Sequence, residues 1–423
     1  MDYQRRVVDP MLDQLFGDLA AIALEGAKGV GKTATATRRA ATVLSLDNPS
    51  ERVAVAANLD LVTQLPAPVL IDEWQLEPSV WDRVRRAVDE DSSGGRFLLA
   101  GSAGLSAGAR VHSGAGRIVS LTMRPMSFSE RGIQEATVSL RALLTGQLEV
   151  VGGICDLGLP SYTDEILRSG FPGIRGLPEG ARQLQLDSYI RRITERELPE
   201  NGLSVRRPVA LRAWMAAYAA ATATTATYTT ILDAATPGEG DKPARQTVAA
   251  YRDHLQRIFV LDPLEAWVPA FAPLKRLTLA PKHHLVDPAL AARLVGVGKE
   301  GLLRGQGDRV SDGSGIWLGA LFESLVTQSV RVYAEAAQAT VGHLRTKNGD
   351  HEIDLIVEAP DRTCLAIEVK LAGTVDAGDV AHLEWLRQQV GNRLAARVVV
   401  YTGRLAYRRD DGVAVVPFGL LGP

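Results

Sequence analysis

The sequence predicts an α/β protein: a parallel sheet covered by helices in the N-terminal third, a mainly helical middle, and a second α/β unit towards the C-terminal end. Three observations carry this. Short apolar, β-branched runs alternate with helical patterns between residues 19 and 122, and such alternation argues for strands brought parallel by helical crossovers. From residue 123 to about 290 the apolar spacing is mainly helical. Beyond a glycine cluster at 296–319, two alternating runs flank Lys347-Asn348-Gly349-Asp350, and Asn-Gly in that position is a hairpin signal.

Taken in order, strands are expected at 19–24, 53–56, 69–71, 97–100 and 118–121, with helices at 33–44 and 80–88. Residues 92–95 and the glycine-rich 101–116 read as loops. An amphipathic helix follows at 187–197, then an alanine-rich helix, a loop at 237–243 and a helix at 245–259. That last helix carries Val248, Tyr251, Leu255 and Phe259 at helical spacing, so one face belongs to a core. The third unit reads as helix 316–333, strands 340–344, 352–357 and 365–370, helix 378–390 and strand 397–401. The expected organisation is a first domain at 1–135, a helical lid-like segment at 136–204, a segment at 205–295 and a C-terminal domain at 296–423.

Composition narrows the function classes. The chain has 423 residues, 46% hydrophobic and 23% charged, with a formal net charge of −2. These are ordinary values for a globular protein, and no broad basic field advertises nucleic acid. The two cysteines, Cys155 and Cys364, lie outside any metal-ligand spacing and fit a reducing compartment. Charges in the first ten residues stand where a leader peptide needs an apolar stretch. The most apolar long run, around Arg212, is interrupted by that residue, so no membrane span is expected and the protein reads as cytoplasmic. Lysine and arginine together number 47, of which eight are lysine, leaving 39 arginines. A lysine within a motif is therefore informative here, because the two cations differ in chemistry.

Gly26-Ala27-Lys28-Gly29-Val30-Gly31-Lys32-Thr33 fits the pattern G-x-x-x-x-G-K-[ST], after an apolar strand and before a helix. The glycines let backbone N–H groups converge on a phosphate; Lys32 bridges β- and γ-phosphates, and the Thr33 hydroxyl ligates Mg²⁺. This predicts a P-loop nucleotide site for ATP and Mg²⁺. A second apolar strand ends in Asp72-Glu73. Asp72 is placed to hold the Mg²⁺, and Glu73 to orient and deprotonate the attacking water. The next strand ends at Ser102, a polar contact for the γ-phosphate or that water, and Arg117 precedes the fifth strand as a candidate for stabilising transition-state charge, in cis or across a subunit interface. An Asp-Glu pair supplies a base for water, which favours an ATPase over a small-molecule kinase. The guanine-reading N-K-x-D is missing from the sequence.

With these motifs the chain resembles a bacterial and archaeal family of uncharacterised AAA-type ATPases, whose members join an N-terminal P-loop domain to a C-terminal domain of unknown function. The likeness extends over Gly116-Arg117, the 124–130 segment RPMSFSE, Gly170-Phe171-Pro172, the 245–256 helix, the 282–290 segment KHHLVDPAL and the 349–370 stretch. Lys28, where arginine is expected, and the threonine-rich 33–37 depart from the family without altering the atoms that meet phosphate. Membership implies an ATPase, a helical or winged-helix middle segment and a nuclease-like C-terminal fold. Sites of the AAA type often borrow an arginine from a neighbour, which implies a homo-oligomer.

In the C-terminal unit, Glu368 and Lys370 stand two apart on one strand and so project to one face, with Asp354 on the preceding strand. Two carboxylates and a lysine suit Mg²⁺ and a phosphodiester, and Glu323 on the helix before them is a further candidate ligand. The element order looks like the PD-(D/E)xK restriction-endonuclease-like core. In the middle segment, the 245–259 helix followed by strand-like 260–268 and 274–279 suits a winged helix, with Arg245, Arg252 and Arg257 facing DNA phosphates. His283-His284 lacks the partners of a metal site. Three readings stay open: an ATPase whose nucleotide state moves a nuclease-like module, an ATP-regulated metal-dependent nuclease, and a non-catalytic nucleotide-switched module that binds DNA or protein.

Overall fold

The apolar runs of the N-terminal third become five parallel strands: β1 (Ala21–Glu25), β2 (Thr42–Ser45), β3 (Val69–Asp72), β4 (Phe97–Gly101) and β5 (Val119–Thr122), in the order β2-β3-β4-β1-β5. The computed structural model describes residues 3–102, 114–147, 150–200, 202–203, 205, 207–236, 244–269, 277–307 and 316–423. The expected loop 237–243, most of 101–116 and part of 296–319 lie outside them. Strands β1, β3 and β4 are buried on both faces, as parallel strands covered by helices are.

Two expectations fail in this unit. The helix after the phosphate loop spans only Lys32–Thr37, and residues 42–45 turn into the edge strand β2. Residues 53–56 lie in a helix, Pro49–Ala57. Asn48 caps it by accepting from the Ser50 N–H, and Pro49 opens it. Val53 is left exposed while Val55 is buried, so the β-branched run reflects one buried position of a helix, not a pleat.

The middle is helical. Glu179–Arg192 passes into a single π-turn at Ile193–Glu197, and the alanine-rich stretch divides into Pro208–Ala220 and Tyr228–Ala235. The helix Arg245–Arg257 buries Val248, Tyr251 and Leu255. After it, residues 260–267 form single bridges, Leu261 to Leu285, Leu264 to Lys282 and Ala266 to His343, where a ladder was expected; residues 274–276 of the second expected strand are outside the described ones.

The C-terminal unit is a seven-stranded mixed sheet of β7 (Gly153–Ile154), β8 (Thr340–Arg345), β9 (Glu352–Glu358), β10 (Cys364–Lys370), β11 (Leu394–Tyr401), β12 (Leu405–Arg408) and β13 (Ala414–Pro417), ordered β7-β12-β13-β11-β10-β9-β8. The helix Trp317–Ala336 packs beneath it and is almost wholly buried. A further pair joins the last strand, β14 (Leu421–Gly422), to β6 (Val138–Ser139). Residues 138–154 thus donate strands to the C-terminal end, and one continuous apolar core runs from Met11 to Leu421. Among the described residues no helix is long and apolar enough to cross a membrane.

Candidate functional site

The phosphate loop is shaped by positive φ at Gly26, Gly29 and Gly31, which non-glycine residues adopt only with strain. At Gly26 space adds to the demand, since a Cβ would lie 2.1 Å from the Met123 carbonyl oxygen. Ala27 and Val30 point into the core and anchor the loop. Lys32 is buried, and its Nζ donates to the carbonyls of Gly26 at 2.7 Å and Ala27 at 2.9 Å. Burial lowers its pKa to about 8, although Glu73 and Asp72 pull the other way. The Thr33 hydroxyl lies 3.0 Å from each carboxylate oxygen of Asp72. Burial raises the Asp72 pKa, against the lowering effect of that hydrogen bond.

The separation of β1 from β3 by β4 matters to this site. It brings Ser102, at the end of β4, between the loop and the acidic pair, where Ser102 Oγ donates to Glu73 Oε2 at 3.2 Å. Gln75 donates to the same Glu73 oxygen and lies 3.4 Å from Ser102. Glu73 itself has φ 51, a left-handed conformation of the kind stored at functional sites. Lys32, Thr33, Asp72, Glu73 and Ser102 therefore form one group. Arg117 does not join it. It lies before the N-terminal end of β5, whereas the loop follows the C-terminal end of the parallel β1, and it pairs with Asp89 at 2.7 Å.

Middle-segment residues close over the loop. Lys28 Nζ pairs with Glu197 of the π-turn at 3.0 Å, and the Tyr189 hydroxyl donates to the Lys28 carbonyl at 3.1 Å. A cavity of about 310 Å³ lies between them, lined by Lys28, Ser102, Phe171, Tyr189, Arg192 and Val260. A second, of about 460 Å³, opens beside Gly31, Ala34 and Thr35, bounded by Tyr3, Gln4 and Pro172. Sequence reasoning assigned no role to Tyr3, Tyr189 or Arg192, whose positions are set by chain segments far from the motif.

In the C-terminal unit the expected residues do converge. Lys370 Nζ is 3.3 Å from Glu368 Oε2, and Asp354 Oδ2 accepts from the Val369 N–H at 2.9 Å. A residue not anticipated stands among them. Lys282 Nζ lies 2.8 Å from Asp354, 2.9 Å from Glu323 and 3.0 Å from Glu352. Burial alone would lower its pKa, but Asp354, Glu323 and Glu352 outweigh it and hold the ammonium well above its ordinary value. Burial pushes Glu323 and Glu368 upward, while Lys282 keeps Asp354 low despite burial. Among the described residues no three His, Cys, Asp or Glu side chains form a group able to hold a metal ion. Lys282 Nζ therefore sits among oxygens that the sequence reading offered to Mg²⁺. The scarcity of lysine was the available signal for Lys282. The neighbouring histidines take structural roles: His283 Nε2 is 2.7 Å from the Ala226 carbonyl and His284 Nδ1 3.1 Å from Ser324 Oγ.

A five-stranded parallel sheet whose first strand runs into a phosphate loop, with an acidic pair two strands away, defines a P-loop nucleotide-binding unit of AAA-like form. Comparison with known proteins agrees: residues 19–132 match the AAA domain family, which points to a nucleotide-binding ATPase. Residues 159–301 match a domain of unknown function (DUF8612), and residues 318–421 match another (DUF4143). Uncharacterized proteins of Mycobacterium bovis and Mycobacterium tuberculosis are each 26% identical to the chain over 423 residues, covering 98% of it and 83% of their own length.

Proposed function

We propose that the chain is an Mg²⁺-dependent ATPase whose nucleotide state is transmitted through the middle helices to the C-terminal unit. The observation that carries this is the meeting of Thr33 with Asp72 and of Glu73 with Ser102, which sets a metal-holding pair beside a positioned base. Thr33 and Asp72 would hold Mg²⁺, which when bound neutralises charge on the phosphates. Lys32 exchanges the Gly26 and Ala27 carbonyls for phosphate oxygens. Glu73 takes the proton of the attacking water, and Ser102 and Gln75 keep its carboxylate in place. The cavity beside Gly31, Ala34 and Thr35 receives the base and ribose.

Measuring phosphate release from Mg·ATP tests this. Lys32→Ala should lose nucleotide binding, and Glu73→Gln should retain it while turnover falls on the order of 10²-fold or more. A wild-type rate matched by both variants would sink the reading. We read the C-terminal sheet as nuclease-like in fold, on the order of β8 to β11 and the grouping of Asp354, Glu368 and Lys370. DNA is the first partner to try. Stimulation of ATP turnover by duplex DNA would support it, and an unchanged rate at saturating DNA would count against it.

A further inference from the structure

We propose that Lys282 is the permanent cation of the C-terminal acidic cluster: its ammonium stands where a divalent ion would, and the unit therefore acts without metal and does not cleave phosphodiester bonds. This goes beyond the ATPase reading and does not rest on it.

An ammonium has three N–H donors. Lys282 donates two of them to Glu323 Oε1 and Asp354 Oδ1, and Glu352 Oε1 pairs with the same nitrogen at 3.0 Å, so three carboxylates already surround this cation. The side chain is 1% exposed, which excludes a casual surface contact. Mg²⁺ holds its oxygens at about 2.0–2.1 Å, so no ion shares these acceptors while Nζ is among them. The cluster was also built for more than Lys282 supplies. Glu368 Oε1 is buried without a hydrogen-bond partner beside Asp354 and Lys370, leaving an acceptor that the ammonium does not reach.

The main chain that carries Lys282 is held on both sides. Its N–H and C=O both pair with Leu264, at 2.9 Å each, and the His283 N–H is held by the Thr224 carbonyl at 2.9 Å. The strap then runs through buried His284 to Asp287, whose carboxylate accepts from Ser169 Oγ at 2.8 Å and the Gly170 N–H at 2.6 Å. The lysine comes from the region matched at 159–301 and the carboxylates from that matched at 318–421. The cluster is thus a clamp between two parts of the chain.

Mn²⁺ binding to the full-length protein without nucleotide, followed by electron paramagnetic resonance, tests this. Wild type and Asp354→Asn should bind the same number of ions with the same affinity. Lys282→Met, shown folded by circular dichroism, should gain one ion that Lys282→Met/Asp354→Asn loses. An ion bound by wild type and lost on Asp354→Asn would overturn the proposal, as would Mn²⁺-dependent DNA cleavage by wild type that Asp354→Asn abolishes. A folded Lys282→Met that gains no ion would overturn it equally. Where Lys282→Met fails to fold, the wild-type and Asp354→Asn comparison decides alone. Failure here leaves the ATPase result untouched, since that is read at Lys32 and Glu73.

Discussion

At Lys32 the chain buries a primary amine whose hydrogen-bond partners are two carbonyls, with the carboxylates of Asp72 and Glu73 acting only at longer range. Burial is the stronger influence, which brings the pKa down to about 8. The proton must be present to meet a triphosphate, so binding favours the charged form. Nucleotide affinity should be flat below pH 8 and fall by up to about tenfold per unit above it, until the pKa of the bound state is reached. Titration with a fluorescent nucleotide between pH 7 and 9.5 measures this, and Lys32→Arg, with its higher pKa, should flatten the profile. An affinity that stays constant to pH 9.5 in wild type would show that Lys32 does not titrate here. Lys32, Thr33, Asp72 and Glu73 were legible because the chemistry of a phosphate loop is local, or sits at the end of a nearby apolar strand. Lys282 was not, because its partners Glu323 and Asp354 are 41 and 72 residues distant and no periodicity connects them.

At the scale of elements, the short turn Ser129–Arg131 shows how a segment without catalytic groups supports the loop. Glu130 accepts from the Val7 N–H at 2.6 Å, the Ser127 N–H at 2.7 Å and Ser127 Oγ at 2.9 Å, and pairs with Arg6 Nε at 3.1 Å. Arg6 in turn donates to the Val30 carbonyl of the loop and to the Arg124 carbonyl, at 2.7 Å each. Glu130→Gln would leave Arg6 without its counter-charge and set an amide donor against another buried N–H. Removing one partner of a buried pair costs about 3–5 kcal/mol, so a loss near the lower figure is expected in urea unfolding, with weaker nucleotide binding. A loss under about 1 kcal/mol would mean the pair behaves as a surface contact. The same scale explains the misread elements. Residues 53–56 and 42–45 are both short and β-branched, and only their surroundings, the Asn48 cap on one and the β3 edge beside the other, separate helix from strand. Strands β6, β7 and β14 have two residues each, too few to leave an alternating pattern.

For the whole molecule, the informative contacts join segments that the sequence presents as separate. Phe128 belongs to the matched region 19–132, Tyr162 to 159–301, and Phe322 and Phe418 to 318–421. Their rings meet in one group: Phe418 lies 4.6 Å from Phe128, 5.7 Å from Phe322 and 6.1 Å from Tyr162 between centroids. The Gly419 N–H also donates to the Tyr162 hydroxyl at 3.1 Å, across 257 residues. Divisions at 135, 204 and 295 follow composition, whereas this core ignores them. Phe418 is fully buried, and truncating such a phenylalanine costs about 3–5 kcal/mol. Because its ring touches all three regions, Phe418→Ala should lower the stability of the whole chain and not of the C-terminal unit alone. Thermal unfolding read by circular dichroism should show one transition moved down, and saturating ATP with Mg²⁺, bound at the loop, should move that same transition back up. Two transitions, with only one displaced by the substitution and only the other by nucleotide, would show that the regions fold independently and that this aromatic contact does not couple them.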